Sequence, residues 1–306
     1  MASNEILPFG ATASNELTQA AYAADAQRLT GHQPGVARSA LMNKTLHQVS
    51  VIAAGVAQFL ADRQATNIVD TLTPAQVAAL FATANAGRLA RIVKYDTASG
   101  VFAYAKGANT KFILIRGVAG GGAGGGCPTG GGTASAGAGG ASGAYAEILI
   151  DASVLASSVN VTVGAGGTSL VNSQGNPGGA TIVPGVMTLN GGTGGGVGVN
   201  YANLGISGIS TSGGTATGTG LFKIDGVPGD VGLVFGGVTG GRSGIGASTP
   251  LGAGGNPASA NGTVALAGNP GGGYGAGGSG GLGVNNGATV GGGAGARGCL
   301  IFEEYE

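Results

Sequence analysis

The carboxylates of the C-terminal part are the residues with which this sequence could carry out chemistry. Cleavage of a glycosidic bond needs two facing carboxylates. Residues 117–306 supply seven acidic side chains, Glu147, Asp151, Asp225, Asp230, Glu303, Glu304 and Glu306. Asp225 and Asp230 flank Gly226-Val227-Pro228-Gly229, which favours a solvated turn over a catalytic or calcium-binding pair. Glu147 alternates with apolar residues, as expected on the outward face of a strand.

Other catalytic and metal-binding chemistry lacks its residues. Cys127 and Cys299 have no histidine in their part of the chain, because His32 and His47 both precede residue 117. Two isolated cysteines favour buried thiols over a disulfide scaffold or a zinc site. No phosphate-binding lysine follows the G-x-G-x-x-G matches, and no G-x-S-x-G elbow joins a strand to a helix. We therefore expect no catalysis, no metal and no cofactor.

Binding is the chemistry that remains, and it needs anchoring side chains. Interfaces draw most of their energy from aromatic residues and arginine. Between residues 191 and 290 the candidates for receptor binding are Tyr201, Phe222, Phe235, Arg242 and Tyr274. Tyr201, Arg242 and Tyr274 adjoin glycine runs and are predicted to lie on loops. For Phe222 and Phe235, a place in the core of a β domain is the favoured interpretation.

These residues are embedded in a chain made of two compositionally different regions. Of the 69 glycines, seven lie in residues 1–116 and 62 lie in residues 117–306. Net charge is zero, and residues 117–306 hold three basic and seven acidic side chains. This balance gives no electrostatic case for nucleic acid as a partner. The chain is 42% hydrophobic and only 8% charged, which argues against disorder, and no strict G-X-Y period supports collagen.

The first 87 residues predict a helical attachment region. Residues 1–13 form an extended docking peptide, in which Ile6, Leu7, Pro8 and Phe9 are an apolar cluster with no local partner. A short helix is expected from Ser14 or Asn15, which are good N-caps, to about residue 30, where Gly31 ends it. Thr73-Pro74-Ala75-Gln76 is a capping box. It begins a helix that runs to about residue 86 and ends at Gly87.

A longer helix from about Val36 to Arg63 carries apolar residues at a 4-3 spacing. They are Met42, Leu46, Val49, Ala53, Val56 and Leu60. This spacing is that of a coiled-coil seam. Two interpretations remain open, an amphipathic helix packed within its own domain and a parallel self-associating bundle.

From residue 89 the hydrophobic period changes to two, which is typical of β-strands. Residues 90–95 and 101–105 are predicted to form a hairpin, and residues 88–109 a connector to the β domain. Further strands are expected at 111–116, 145–150, 159–163 and 299–305. Pro184-Gly185 predicts a type II turn between strands 181–183 and 186–189.

Glycine runs separate these strands, at 120–126, 130–143, 191–198, 252–255, 271–283 and 291–298. Glycine disfavours helix and strand interiors, yet every buried backbone N–H and C=O needs a partner. Extended left-handed threefold helices that hydrogen-bond to one another meet both demands, and disordered loops are the alternative. The Gly-Asn-Pro-Gly-Gly sequences at 175–179 and 268–272 predict tight reversals between antiparallel runs.

Several segments resemble known families. KFILIRGVAGGGAGGG, GGASGAYAEILID, VNVTVGAGG and GARGCLIFEEYE resemble the glycine-rich domain of phage tail fibre and tail-tip proteins and, more weakly, that of certain receptor tyrosine kinases. AAYAADAQRLTGHQPGVARSALMNKTLHQVSVIAAGVAQFLAD, with VDTLTPAQVAAL, resembles the N-terminal part of phage tail fibres. The resemblance implies an α+β multidomain fold, with a coiled-coil-like attachment region (14–87) and a jelly-roll-like β-sandwich carrying inserted polyglycine II-type helices (110–306). Residues 199–250 match no family pattern.

The same resemblance implies a function. It predicts a homotrimeric virion adhesin, in which the apolar cluster of residues 6–9 docks on a tail, baseplate or adaptor protein. The glycine-rich tip would bind a host surface receptor, either a glycan or an outer-membrane protein. The alternative is a purely structural fibre or spike protein with no receptor. No signal-peptide pattern is present, so we expect a protein made in the host cytoplasm and carried on the virion tail.

Overall fold

The computed structural model describes residues 3–12, 14–31, 35, 38–63, 67–84, 87–128, 130–218, 220, 222–236, 239–286 and 288–306. The chain divides into two compact units, Met1–Ala86 and Gly87–Glu306. Four α-helices lie in the first unit, α1 (Gln19–Ala24), α2 (Ala26–Thr30), α3 (Ser39–Arg63) and α4 (Pro74–Ala84). None of the described helices is long and apolar enough to cross a membrane.

Two short helices replace the single helix expected from Ser14 or Asn15. α1 begins after Thr18, whose hydroxyl accepts the Ala21 N–H. Asp25 then interrupts the helix and caps α2 by accepting the Gln27 N–H at 2.9 Å. The predicted N-cap was wrong, because Thr18 caps the first helix. The predicted single helix is split in two, because Asp25 caps a second helix within the same stretch. The end at Gly31 is confirmed, since this residue follows α2 with a φ of 80°.

The capping box before α4 is confirmed. The Thr73 N–H donates to Gln76 Oε1 at 2.8 Å, and the Gln76 N–H donates to Thr73 Oγ1 at 3.3 Å. The flanking Leu72 and Val77 both pack against one buried cluster, formed by Ala57, Leu60, Ala61, Ile68 and Ala84. This local motif therefore also joins α4 to α3.

The N-terminal peptide does have a local partner, which corrects the expectation from the sequence. Asn4 pairs with Ile68 in a parallel bridge, and Ile6 packs against the cluster between α3 and α4. The Phe9 N–H donates to Ser50 Oγ on α3 at 2.7 Å. Leu7 and Phe9 remain exposed. The peptide is thus extended, but it is held on its own unit.

The predicted seam of α3 is divided between two environments. Leu60 is 1% exposed and belongs to the cluster that joins α3 to α4. Met42, Leu46, Val49 and Val56 are exposed, as is Ala53. The C-terminal end of α3 therefore packs within its own unit, whereas the seam residues before it face outward.

The second unit consists of antiparallel strands and extended glycine segments. Its first eight strands are β1 (Leu89–Tyr95), β2 (Gly100–Ala105), β3 (Phe112–Val118), β4 (Gly130–Ala136), β5 (Tyr145–Asp151), β6 (Ser158–Val163), β7 (Thr181–Val183) and β8 (Met187–Leu189). The remaining strands are β9 (Gly205–Gly208), β10 (Ala216–Gly218), β11 (Phe222–Ile224), β12 (Gly232–Gly236), β13 (Gly240–Arg242), β14 (Ser259–Ala260), β15 (Val264–Leu266), β16 (Leu282–Asn286) and β17 (Cys299–Tyr305). A short 3₁₀-helix follows β5 at Ala152–Val154.

These strands form two pairs of sheets. The larger pair has the orders β1-β17-β3-β5-β11 and β10-β8-β7-β6-β2, and one hydrophobic core lies between them that includes Ile113, Val161 and Phe302. We call this pair the proximal sandwich. The smaller pair, β14-β13-β12-β9 and β15-β16-β4, shares a core with Val234 and Leu282. We call this pair the distal sheets.

The predicted hairpin of residues 90–95 and 101–105 is wrong, and so is a connector at 88–109. β1 pairs with β17, whereas β2 pairs with β6 in the opposite sheet. Both strands are therefore parts of the sandwich itself. Partners far along the chain outcompete the local pairing, because they bury both strands against one core. The hairpin around Pro184-Gly185 is confirmed, with β7 paired to β8 and Gly185 at a φ of 75°.

The glycine segments hydrogen-bond to one another with a period of three. Successive N–H groups of residues 120–126 donate in rotation to residues 173–179, residues 293–296 and residues 138–141. Residues 137–144 likewise donate in rotation to residues 275–281, 190–196 and 227–230. A strand would alternate between two sides, so this rotation is that of an extended threefold helix. The runs hydrogen-bond between segments and not within them.

The Asn-Pro-Gly sequences do not reverse the chain. The Asn176 carbonyl accepts the Ala123 N–H at 2.9 Å, and the Gly178 N–H donates to Gly192 O at 2.9 Å. Residues 268–271 are bonded in the same way to residues 291–294. Because proline pushes the preceding residue toward extended conformations, these sequences continue a segment and do not turn it.

A buried carboxylate connects the two sheets of the proximal sandwich. Glu304 on β17 is fully buried and accepts hydrogen bonds from Arg91 on β1 at 2.6 Å and from Tyr104 on β2 at 2.7 Å. It also accepts the Gly107 N–H and the Thr110 hydroxyl, each at 2.8 Å. Although burial opposes ionisation, these donors lower the pKa of Glu304 to about 2. One charged group therefore joins the two sheets.

We expect Gly125→Ala to destabilise the second unit strongly. A Cβ at Gly125 would lie well inside 3.0 Å of the Gly196 carbonyl oxygen, which is backbone and has nowhere to move. Overpacking of this kind costs about 3 kcal/mol or more. Gly131→Ala is the matched control, since nothing lies within 4 Å of its Cβ position. Thermal unfolding measures both, and equal unfolding temperatures would contradict the packing described above.

We expect Glu304→Gln to lower the free energy of unfolding by about 3 kcal/mol, because a buried amide cannot accept all four hydrogen bonds that the carboxylate accepts. Glu306→Gln is the control, as its carboxylate pairs with the exposed Arg88 and such pairs contribute less than about 1 kcal/mol. Folding lowers the pKa of Glu304 from its ordinary value of 4.5 to about 2. Its contribution to the free energy of unfolding is therefore complete above pH about 4.5 and is lost as the pH falls toward about 2. Denaturant titrations across this range should show a pH-dependent loss in the wild type that Glu304→Gln lacks.

Candidate functional site

The chain enters the glycine-rich unit at one end, and the distal sheets lie at the other end. Gly87 donates its N–H to Glu306, and Leu89 lies opposite Tyr305, so the chain enters the unit beside the end of β17. The glycine segments start where strands of the proximal sandwich end and lead to the distal sheets. Seven residues at about 3.1 Å each, as in residues 120–126, separate the two by roughly 20 Å. The distal sheets are thus held far from the point where the chain enters.

The four-stranded distal sheet has one buried and one open face. Val234 is fully buried, and a Cβ at the opposing Gly241 would meet Leu282 of the other sheet at 2.9 Å. The other face carries a row of directly opposed residues, formed by Ile206, Leu233, Arg242 and Ser259. Ile206 is 59% exposed. This face is therefore open to a partner.

Further apolar side chains surround this row. Phe235 on β12 is 54% exposed, and Leu204 just before β9 is also exposed. Tyr201 is fixed by two backbone hydrogen bonds to Ala134, each of 2.9 Å, and its ring lies against Gly205, where a Cβ would be 3.2 Å away. We call the surface of Leu204, Ile206, Leu233, Phe235 and Arg242, together with the partly exposed Tyr201 at its β9 edge, the distal face. Exposed apolar patches of this kind mark interaction sites.

Arg242 is the charged group of the distal face. Its guanidinium lies 3.9 Å from the Asp230 carboxylate, and both side chains are partly exposed. Of the other two basic residues after position 117, Lys223 lies on β11 and Arg297 contacts Tyr274, so both belong to the proximal end. A guanidinium has five N–H donors, and one wide ion pair leaves most of them for a partner.

Three of the five predicted receptor-binding residues come together at this end. Phe235 and Arg242 lie on neighbouring strands of the four-stranded sheet, whereas Tyr201 pairs with Ala134 on β4 of the other distal sheet and places its ring against Gly205 of β9. The interpretation of Phe235 as a core residue was wrong, because this side chain is exposed. Arg242 lies on strand β13 and not on a loop.

The other two candidates lie at the proximal end. Phe222 on the edge strand β11 is 63% exposed, which also contradicts a core position. Tyr274 packs against a cluster that includes Tyr145 and Cys299, and the Arg297 guanidinium lies 5.6 Å from its ring centroid. Neither side chain reaches the distal face.

The sequence reasoning missed Leu204, Ile206 and Leu233. All three lie within residues 199–250, for which no family pattern was available. The signal for β12 was present, since Gly232-Leu233-Val234-Phe235-Gly236 is a short apolar run between glycines. A run of this length and composition is typical of a short strand, and β12 spans these residues. The pairing of β12 with β9 and β13 could not be inferred from it.

Asp225, Cys127 and Cys299 lie outside the distal face and have structural surroundings of their own. Asp225 accepts the Ala216 N–H at 2.7 Å, and the residues between Asp225 and Asp230 are extended and bonded to neighbouring segments, which corrects the expected turn. Burial raises the pKa of Cys127 to about 11 and that of Cys299 to about 12, so both are thiols at neutral pH. Within the described residues, no group of three or more His, Cys, Asp and Glu side chains is placed to hold a metal ion.

Comparison with known proteins concerns the second unit. The sequence model of a family described as a glycine-rich domain matches residues 97–305. This range begins after β1 and includes the other strands of both pairs of sheets with the glycine segments between them. No curated protein matches the chain. Since the family match spans more than half of the 306 residues, the chain belongs to the glycine-rich domain family.

Proposed function

We propose that this protein is a virion tail fibre component that binds a host surface receptor through its distal face. The receptor is a glycan or an outer-membrane protein. The first unit attaches to the tail, the baseplate or an adaptor protein. The second unit is then a jelly-roll-like sandwich that carries a bundle of polyglycine II-type helices, and the bundle acts as a rigid spacer.

The distal face is the observation that carries this proposal. It combines two aromatic rings, aliphatic side chains and one arginine, which are the residue types that dominate binding energy in interfaces. It lies at the end of the unit remote from Gly87, where the chain enters the unit. A surface that must reach another cell is expected at that end.

The exposed part of the N-terminal peptide supports attachment through the first unit. Leu7, Pro8 and Phe9 are exposed, while Ile6 is fixed in the cluster between α3 and α4. His47 Nδ1 lies 2.9 Å from the Phe9 carbonyl oxygen, so the peptide is held in a defined conformation. Preorganisation of this kind lowers the entropic cost of binding. Leu7, Pro8 and Phe9 are therefore the proposed contacts with the tail.

Self-association as a homotrimer is the second part of the proposal. Met42, Leu46, Val49 and Val56 form an exposed apolar row along α3. Rows at this spacing on long helices associate with copies of themselves. Leu60, which is buried within its own unit, is excluded from the proposed seam.

We expect the combined variant Tyr201→Ala, Phe235→Ala, Arg242→Ala to abolish adsorption of particles to host cells and binding of the purified chain to them. The three side chains are exposed or partly exposed, so thermal unfolding should change little. Phe222→Ala is the control, because its equally exposed ring lies on the proximal sandwich. Retained binding by the triple variant would instead support a purely structural fibre protein.

A further inference from the structure

An apolar pocket of about 260 Å³ lies in the first unit between the N-terminal peptide, α3 and α4. Ile6, Val56, Leu60, Leu72 and Val77 line it, and Asp70 lies at its edge. An apolar cavity of about 150 Å³ is large enough to bind benzene. The pocket therefore has room for a phenyl ring.

The exposed Phe59 on α3 is a ring of this size. It is 41% exposed, and the Arg63 guanidinium lies 5.4 Å from its centroid. The α3 residues of the pocket are Ala53, Val56, Ala57 and Leu60. A rotation of about 100° per residue places Phe59 beside this stripe and not within it. The ring of one chain therefore lies next to the pocket of the same chain without entering it.

The charges of the two features are complementary. Asp70 is exposed at the pocket, and no cation among the described residues forms an ion pair with it. Arg63 is exposed as well, and no described carboxylate pairs with it. One surface thus offers a ring followed by a cation, and the other offers an apolar pocket edged by an anion.

We propose that Phe59 of one copy inserts into the pocket of a second copy, where Arg63 pairs with Asp70 of the partner subunit. The proposal rests on the self-association proposed above and specifies its contact. The ring and the pocket are different surfaces of one chain, so the interface is heterologous, and such an interface closes into a ring when the rotation between copies closes. A seam formed by Met42, Leu46, Val49 and Val56 alone would not place a side chain of one copy inside the pocket of another.

Two variants of the full-length chain separate the ring from the pocket. Phe59→Ala removes the ring and keeps the pocket, whereas Ala53→Trp fills the pocket and keeps the ring, since Ala53 is exposed at its mouth. Loss of a central aromatic anchor weakens association about 30-fold, so each variant should be monomeric at micromolar concentration. Val51→Ala, an exposed residue on another side of α3, is the control and should remain oligomeric. Sedimentation velocity measures all of them.

Mixing the two variants gives the sharper test. Ala53→Trp still supplies Phe59, and Phe59→Ala still supplies an open pocket, so a one-to-one mixture should form a dimer that neither variant forms alone. Absence of this dimer, with both variants folded by circular dichroism, would overturn the proposed contact.

A charge exchange tests the same contact without altering the apolar lining of the pocket. Arg63→Asp and Asp70→Arg should each weaken association, and the double variant should restore it. A Phe59→Ala chain that stays oligomeric would overturn the contact but leave self-association intact. A wild type that is monomeric even at about 100 micromolar, roughly a hundredfold above the micromolar concentration used for the variants, would overturn both. Neither result bears on receptor binding, which the distal variants test separately.

Discussion

The second unit depends on the close approach of glycine backbones. At Gly121, Gly124 and Gly140 a Cβ would lie within 3.0 Å of a carbonyl group on a neighbouring segment. Removing every side chain from these positions lets each N–H reach a neighbouring C=O at about 2.9 Å. The interior of the bundle therefore consists of backbone hydrogen bonds. Only close packing and satisfied polar groups can stabilise such an interior, because it has little apolar surface to bury.

This constraint determines where side chains can be placed. Residues 120–126 are wholly buried and are bonded to neighbours on every side, so they leave no room for a functional group. Most large side chains lie at the two ends of the segments, where strands replace glycine. At the proximal end they form the sandwich core that Glu304 closes, and at the distal end they form a smaller core and the open distal face. The separation of the stabilising cores from the proposed binding surface follows from the same packing.

The sequence predicted features that depend on a few neighbouring residues. The capping box at Thr73 and Gln76, the turn at Pro184-Gly185 and the strand patterns of β3, β5 and β17 are local, and the structure contains them. Pairings over long distances were not predictable in this way. β1 pairs with a strand more than 200 residues away. The predicted local hairpin with β2 therefore does not form.

The role of Glu304 shows the same limit at the level of one side chain. Its position after Glu303 at the end of an apolar strand gave no sign that it is buried, because its donors come from Arg91, Tyr104 and the loop at residues 107–110. The distal face was missed in part for a similar reason. Ile206 and Leu233 belong to the same surface as Arg242 only because of the strand register, which the sequence does not reveal.

The distal face and the bundle respond to substitution in opposite ways. A side chain added inside the bundle meets backbone that cannot yield, whereas Tyr201, Phe235 and Arg242 project from strands and loops whose outer side is open. Changes of residue type at the distal face therefore leave the backbone hydrogen bonds of the bundle intact. A binding surface that can change without loss of its support suits the proposed role, since recognition of different receptors would require new side chains but no new scaffold.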